Sequence, residues 1–151
     1  MLTKLIISYW YAVFLVWVTP ISLPLAAWSI YNGWVTQADI VLMLLMYCLS
    51  GLGITLGYHR LVTHRAYQAK PWLKRILLIC GTFAMQGPPA SWASLHIQHH
   101  KFTDKAGDPH SPHQKGFWYG HCGWIFRNYR PDFKRYGKWV LKDQATQLDF
   151  V

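Results

Sequence analysis

Two uncharged stretches set the limits on this fold: from Leu5 to Ala38, and again from Ile40 to Tyr58, no Asp, Glu, Lys or Arg side chain occurs. Each stretch meets the roughly 20 apolar residues required to cross the hydrocarbon core of a bilayer. Backbone polar groups inside lipid need partners within the protein, which a helix supplies segment by segment. The sequence therefore predicts an all-α protein in which residues 1–58 form a two-helix transmembrane hairpin, broken by the hydrophilic run Asn32 to Asp39. Pro20 and Pro24 interrupt the first stretch and predict a kink or a late helix start there. A cleaved leader fits less well, because the apolar run after Lys4 exceeds the roughly 7–15 residues of such segments and a second run follows at once.

Charge is distributed as unevenly as hydropathy. Of 15 Lys and Arg residues, all but Lys4 lie between Arg60 and Lys142. Basic residues remain on the cytoplasmic side of a membrane protein. That rule predicts a cytoplasmic N-terminus, an external Asn32 to Asp39 loop and a cytoplasmic basic half. Nine Tyr and nine Trp suit a chain at the boundary of lipid and water. The run from Arg127 to Trp139 alternates cations with aromatics. Such a pattern binds nucleic acid in some settings; beside a membrane hairpin, anionic lipid head groups are the simpler partner, at about 1 kcal/mol per cation. Nucleic acid is accordingly not expected, and residues 127–151 are read as a basic aromatic tail.

The chain has no Glu and six Asp, which excludes a metal site of the Glu and Glu-x-x-His kind. Cys48, Cys80 and Cys122 are odd in number and far apart, so they predict small buried hydrophobes rather than disulfides or zinc ligands. Histidine remains. His96, His99 and His100 sit at helical spacings of three and four, so their side chains fall within an arc of roughly 100°. His59 and His64 stand five apart, roughly 140° on an ideal helix, and would either serve two different ions or require a local distortion such as a π-bulge. Neutral imidazoles packed together leave unpaired nitrogens that cost a few kcal/mol when buried, and metal ligation offsets that cost. The two clusters together predict metal binding.

A third uncharged stretch, Ile76 to Leu95, separates the clusters. If it crossed the membrane, His64 and His96 would emerge on opposite faces, roughly 30 Å apart. Gly81, Gly87 and Pro88-Pro89 interrupt it. The reading is a helix from Trp72 to Gln86 along or dipping into the cytoplasmic membrane surface, a break at the prolines, and a second helix from Ala90 to Lys101 carrying the second cluster. Residues 59–126 then form a cytoplasmic helical histidine-box region.

His59-Arg60-Leu61-Val62-Thr63-His64, His96-Ile97-Gln98-His99-His100, and the Asp108-Pro109-His110 and Gly120-His121-Cys122-Gly123-Trp124 stretches occur in the order found in the membrane-bound fatty acyl desaturases. Residues 40–126 resemble the stearoyl-type Δ9 branch of that family. The resemblance implies a di-iron centre ligated by His59, His64, His96, His99 and His100, with dioxygen as co-substrate and a cis double bond inserted into a saturated acyl chain. It implies an acyl chain carried on CoA or a glycerolipid, and a small electron donor of ferredoxin or cytochrome b type, met on the cationic face. Gln86 and Trp92 match positions lining the bend of the acyl tunnel. No catalytic side chain beyond these is implied.

Two departures accompany the resemblance. Ile97-Gln98 replaces the arginine usual in the second box, and the family's third His-x-x-His-His box has no counterpart after His121. Five ligands do not fill two iron coordination spheres, so this chain is expected to be an N-terminal half, inactive alone. His110 and His113 flank a Ser111-Pro112 turn and, with His121, fit outer or surface roles better than ligation. The alternatives are a non-catalytic metal-binding membrane fragment, or a histidine-box hydroxylase or alkane oxygenase.

Overall fold

A computed structural model of the chain describes residues 2–127 and 131–146, with side chains from Tyr9 onward. Among the described residues the secondary structure is entirely helical. The chain divides into two compact units, Met1–Leu44 with His110–Tyr129, and Leu45–Pro109 with Arg130–Val151.

The first unit holds α1 (Leu2–Tyr31) and the beginning of α2 (Gln37–Leu52). α1 runs without interruption through Pro20 and Pro24, so the late start expected from the prolines does not occur. Tyr9–Tyr31 and Gln37–Thr63 are both long and apolar enough to cross a membrane. Trp10, Trp17, Leu23, Trp28, Val41 and Met43 are all exposed, which suits a helix surface bathed in lipid. Between the two helices Gly33 adopts a positive φ of 68°. Thr36 then starts α2 with a reciprocal cap: its backbone N–H donates to Asp39 Oδ2 at 2.9 Å, and the Asp39 N–H donates to Thr36 Oγ1 at 3.3 Å. This is the capping-box arrangement, with Asp in the position Glu usually takes. Later in the unit, Ser111 caps a single helical turn, α5 (Pro112–Lys115).

The second unit contains the chemistry. At Gly53 the helix begun by α2 widens into a π segment, Gly53–Thr63. α3 (Pro71–Thr82) packs along that segment, and α4 (Pro89–Phe102) packs against both. Glycine makes the first contact possible. A Cβ on Gly53 would lie 2.1 Å from the Gly81 backbone nitrogen, and one on Gly57 would lie 2.9 Å from the Leu77 carbonyl oxygen. Gly53 and Gly57 form a G-x-x-x-G face, the pattern that lets helix backbones approach inside membranes. The fully buried Tyr58 lays its ring over Gly81 and joins Val62, Leu78, Ala90, Ala93 and Val140 in the core. Trp139 donates from Nε1 to the Val62 carbonyl at 3.2 Å, and Lys74 pairs with Asp143. Part of the basic tail is thus tied to the box region, while Asn128, Tyr129 and Arg130 lie outside the described residues.

At 12 residues, α3 spans about 18 Å, well short of the roughly 30 Å hydrocarbon core. It ends at Thr82 rather than near Gln86, because Phe83 to Gln86 form a turn in which Met85 takes a positive φ of 53°. Pro88 caps α4 in extended conformation and Pro89 begins it, a position where the missing proline N–H costs nothing. The cysteines differ from expectation: Cys48 is exposed and Cys80 and Cys122 are half-buried, all as free thiols. Cys48 sits on the exposed apolar surface of α2.

Candidate metal centre

The π segment resolves the five-residue spacing of the first box. An i→i+5 ladder widens the turn so that residue i+5 returns to the face of residue i. Here the His64 N–H donates to the His59 carbonyl at 3.0 Å, and Thr63 Oγ1 donates to the Tyr58 carbonyl at 2.7 Å. His59 and His64 consequently share a face, with Nε2 atoms 3.0 Å apart. Of the two possibilities the spacing left open, the local distortion is found.

On α4, His96 and His100 stand one turn apart with Nε2 atoms also 3.0 Å apart. The two pairs meet. Ring centroids lie 4.8 Å apart for His59 and His96 and 5.1 Å apart for His64 and His100, and one nitrogen from each of the four histidines lies within 4.8 Å of all the others. His99 turns away from this group: its Nδ1 lies 3.0 and 3.1 Å from the two carboxylate oxygens of Asp108. Helical geometry explains the separation, since positions i+3 and i+4 fall about 60° to one side and about 40° to the other side of His96.

The donor set suits a transition-metal ion. Two nitrogens at right angles in a shell of about 2.1 Å radius stand roughly 3 Å apart, the separation within each pair here. Imidazole is a suitable ligand for iron. Burial first, and then the neighbouring imidazoles of His100, His59, His64 and His99, push the His96 pKa down from 6.5 to about 4. Burial, with His64 and His99, lowers that of His100 as well. At neutral pH the His96 ring therefore carries a lone pair rather than a positive charge.

That shift sets a pH dependence for the metal-free chain. The unfolded chain takes up the His96 proton first, so this contribution to stability is complete above about pH 6.5 and is lost as pH falls toward 4. Acid unfolding of chelator-treated protein should show this loss, and His96→Gln should flatten the profile between those values. An unchanged profile in His96→Gln would contradict the assignment.

Trp92 joins the group from one turn earlier on α4. Its indole stacks on His96 with ring centroids 4.6 Å apart, faces His59 edge-on at 6.2 Å, and donates from Nε1 to Gln86 Oε1 at 2.9 Å. The two side chains expected at the tunnel bend are therefore bonded to each other beside the histidines. His110 and His121 belong to the other unit, ring-packed on Trp124 and Phe117.

Sequence reasoning missed Asp108, whose side chain is completely buried; its place in the Asp-Pro-His stretch was the available signal. Gln98, at the departure from the usual arginine, is buried and donates from Nε2 to the Gly107 carbonyl at 2.8 Å. It closes the loop that brings Asp108 to His99.

The sequence profile of the fatty acid desaturase family matches residues 32–149. The chain belongs to the fatty acid desaturase family. Among curated relatives of this desaturase-family chain, the sn-1 stearoyl-lipid 9-desaturase of Anabaena variabilis is 44% identical over 110 residues, covering 72% of the chain and 40% of that protein. Delta-9 acyl-lipid desaturase 1 of Arabidopsis thaliana is 47% identical over 83 residues, 55% of the chain and 27% of that protein. The acyl-CoA Delta-9 desaturase of Acheta domesticus is 42% identical over 114 residues, 76% of the chain and 32% of that protein. The chain spans less than half the length of each of these relatives.

Proposed function

We propose that this chain carries the first two histidine boxes of a Δ9-type acyl desaturase, with His59, His64, His96, His99 and His100 as iron ligands. The gathering of four imidazole nitrogens from two distant segments within 4.8 Å supports this most strongly. Iron held there would supply the activation of dioxygen; loss of two hydrogens from an unactivated methylene pair, together with two electrons and two protons, balances the reduction of O2 to two waters. A di-iron centre needs more donors than these five, so further ligands come from sequence outside these residues. The electrons come from a small redox protein of ferredoxin or cytochrome b type.

Within this reading residues 1–58 anchor the chain, 59–126 hold the metal, and the tail from 127 meets lipid head groups. An alkyl chain offers no polar handle at its middle, so cavity shape fixes where the bond forms. Trp92, braced by Gln86 and stacked on His96, is the wall that sets this depth. The Lys and Arg distribution orients the histidine boxes and the N-terminus toward the cytoplasm.

The test is expression of the whole polypeptide with a reductase system and analysis of acyl double-bond positions, with stearoyl groups supplied separately on glycerolipid and on CoA. The expected result is cis-Δ9 product from one carrier, and a shifted or mixed bond position in Gln86→Ala. Hydroxylated product, or no product from iron-loaded protein with either carrier, would overturn the reading. Maleimide labelling of single cysteines at Arg65 and Thr103 in a cysteine-free background should find both on the cytoplasmic side, and Gly33→Cys on the other. Labelling of the first two from opposite sides would contradict a shared site.

A further inference from the structure

The Asp108 carboxylate is wholly buried against His99. Several features hold it there. After α4 ends, Asp104 and Gly107 take positive φ values of 59° and 107°, turning the chain back on the helix. Gln98 clamps the Gly107 carbonyl, and the Asp104 N–H donates to Asp108 Oδ2 at 3.0 Å. Thr103 Oγ1 donates to the His99 carbonyl at 2.9 Å, fixing the loop's start to the residue its end faces.

The chemistry of the pair determines the form of the ring. An ionised carboxylate only accepts hydrogen bonds, so His99 Nδ1 carries the proton and donates it. A neutral imidazole protonated at Nδ1 presents its lone pair at Nε2. The close contacts within the four-histidine group also run through Nε2, so one tautomer serves both sets.

We propose that Asp108 is a positioning residue for iron binding: its carboxylate locks His99 as the Nδ1–H tautomer and aims Nε2 for ligation. The inference rests on the reading of His99 as a ligand. Carboxylate–histidine–metal triads of this kind are common, and removal of the outer carboxylate typically weakens metal binding roughly 10–100-fold. The loop thus links the Asp-Pro-His stretch to the second box through a defined hydrogen bond.

The experiment uses the full chain in detergent, labelled with ¹⁵N-histidine, as wild type, Asp108→Ala, Asp108→Asn and His99→Ala. Fe(II) affinity is measured for each, and the His99 ring nitrogens are observed by NMR in the metal-free protein. Asp108→Ala should lose roughly 10–100-fold in Fe(II) affinity, and its His99 signal should move from Nδ1–H toward the Nε2–H form. Asp108→Asn should recover most of both, because its amide oxygen still accepts from Nδ1–H. A merely structural Asp108 would leave the tautomer unchanged in any variant that stays helical by circular dichroism, and that result overturns the proposal. Weakened binding in His99→Ala with none in Asp108→Ala overturns it while leaving the ligand reading intact. Undiminished iron in His99→Ala removes the ligand reading and the proposal with it.

Discussion

Replacing His96 with alanine is expected to weaken iron binding by the chain about 100-fold. Like His64, it is in ring contact with all three other gathered histidines, and its ring also supports the Trp92 indole. Taking the about 10–16 kcal/mol of four-ligand structural zinc sites as the scale, each ligand contributes roughly 3 kcal/mol, a loss of about 100-fold for one deletion. The effect should exceed that of any substitution on the surrounding surface. His121→Ala is the matched control, since that ring belongs to the other unit and stacks on Phe117 with an interplanar angle of 7°. Iron titration of both variants in detergent checks the prediction. Equal losses in the two, or none in either, would mean that iron is held elsewhere.

Gly53→Ala should be the most damaging single-methyl addition in the chain. The new Cβ would fall 2.1 Å from the Gly81 nitrogen, 2.4 Å from the Cys80 carbonyl carbon and 2.6 Å from the Gly81 Cα. All three are backbone atoms, so no side chain can rotate aside and the π segment and α3 must separate. Overpacking a core typically costs about 1–3 kcal/mol, and a clash confined to backbone should reach or pass the top of that range. Separation lifts Tyr58 from Gly81 and carries His59 away from His96, so iron affinity should fall together with stability. Gly51 supplies an internal comparison, because a Cβ there meets nothing within 4 Å. Thermal unfolding monitored by release of bound iron should show a large drop for Gly53→Ala and little change for Gly51→Ala. Similar behaviour of the two variants would indicate that the close approach of the π segment and α3 is not required.

Hydropathy and histidine spacing carried much of this arrangement. The two long apolar runs are helices, and the uncharged stretch from Ile76 to Leu95 is broken by a turn and the proline pair, as a shared site for both boxes demands. The five-residue gap between His59 and His64 already required either separate ions or a distorted helix, and the π segment is that distortion. What was not legible depends on tertiary neighbours. Gly53-x-x-x-Gly57 acquires meaning only once Gly81 lies opposite, and α3 stops at Thr82 because the chain must turn before Pro88. Helical spacing puts His99 and His100 on opposite sides of His96 without saying which side faces the first box, and Asp108 as the partner of His99 lies nine residues on. The thiols gave no local signal, because a cysteine buried in protein and one facing lipid sit in equally apolar sequence.

The claim on which the rest depends is that one metal site is shared by two segments more than 30 residues apart in sequence. X-ray absorption of the chain loaded with one equivalent of Fe(II) tests it, with wild type compared against His64→Ala and His96→Ala. A shared site should give a shell rich in imidazole nitrogen that loses about one such ligand in each variant, from the same ion. A shell altered by one substitution and indifferent to the other would assign the two boxes to different sites and contradict it.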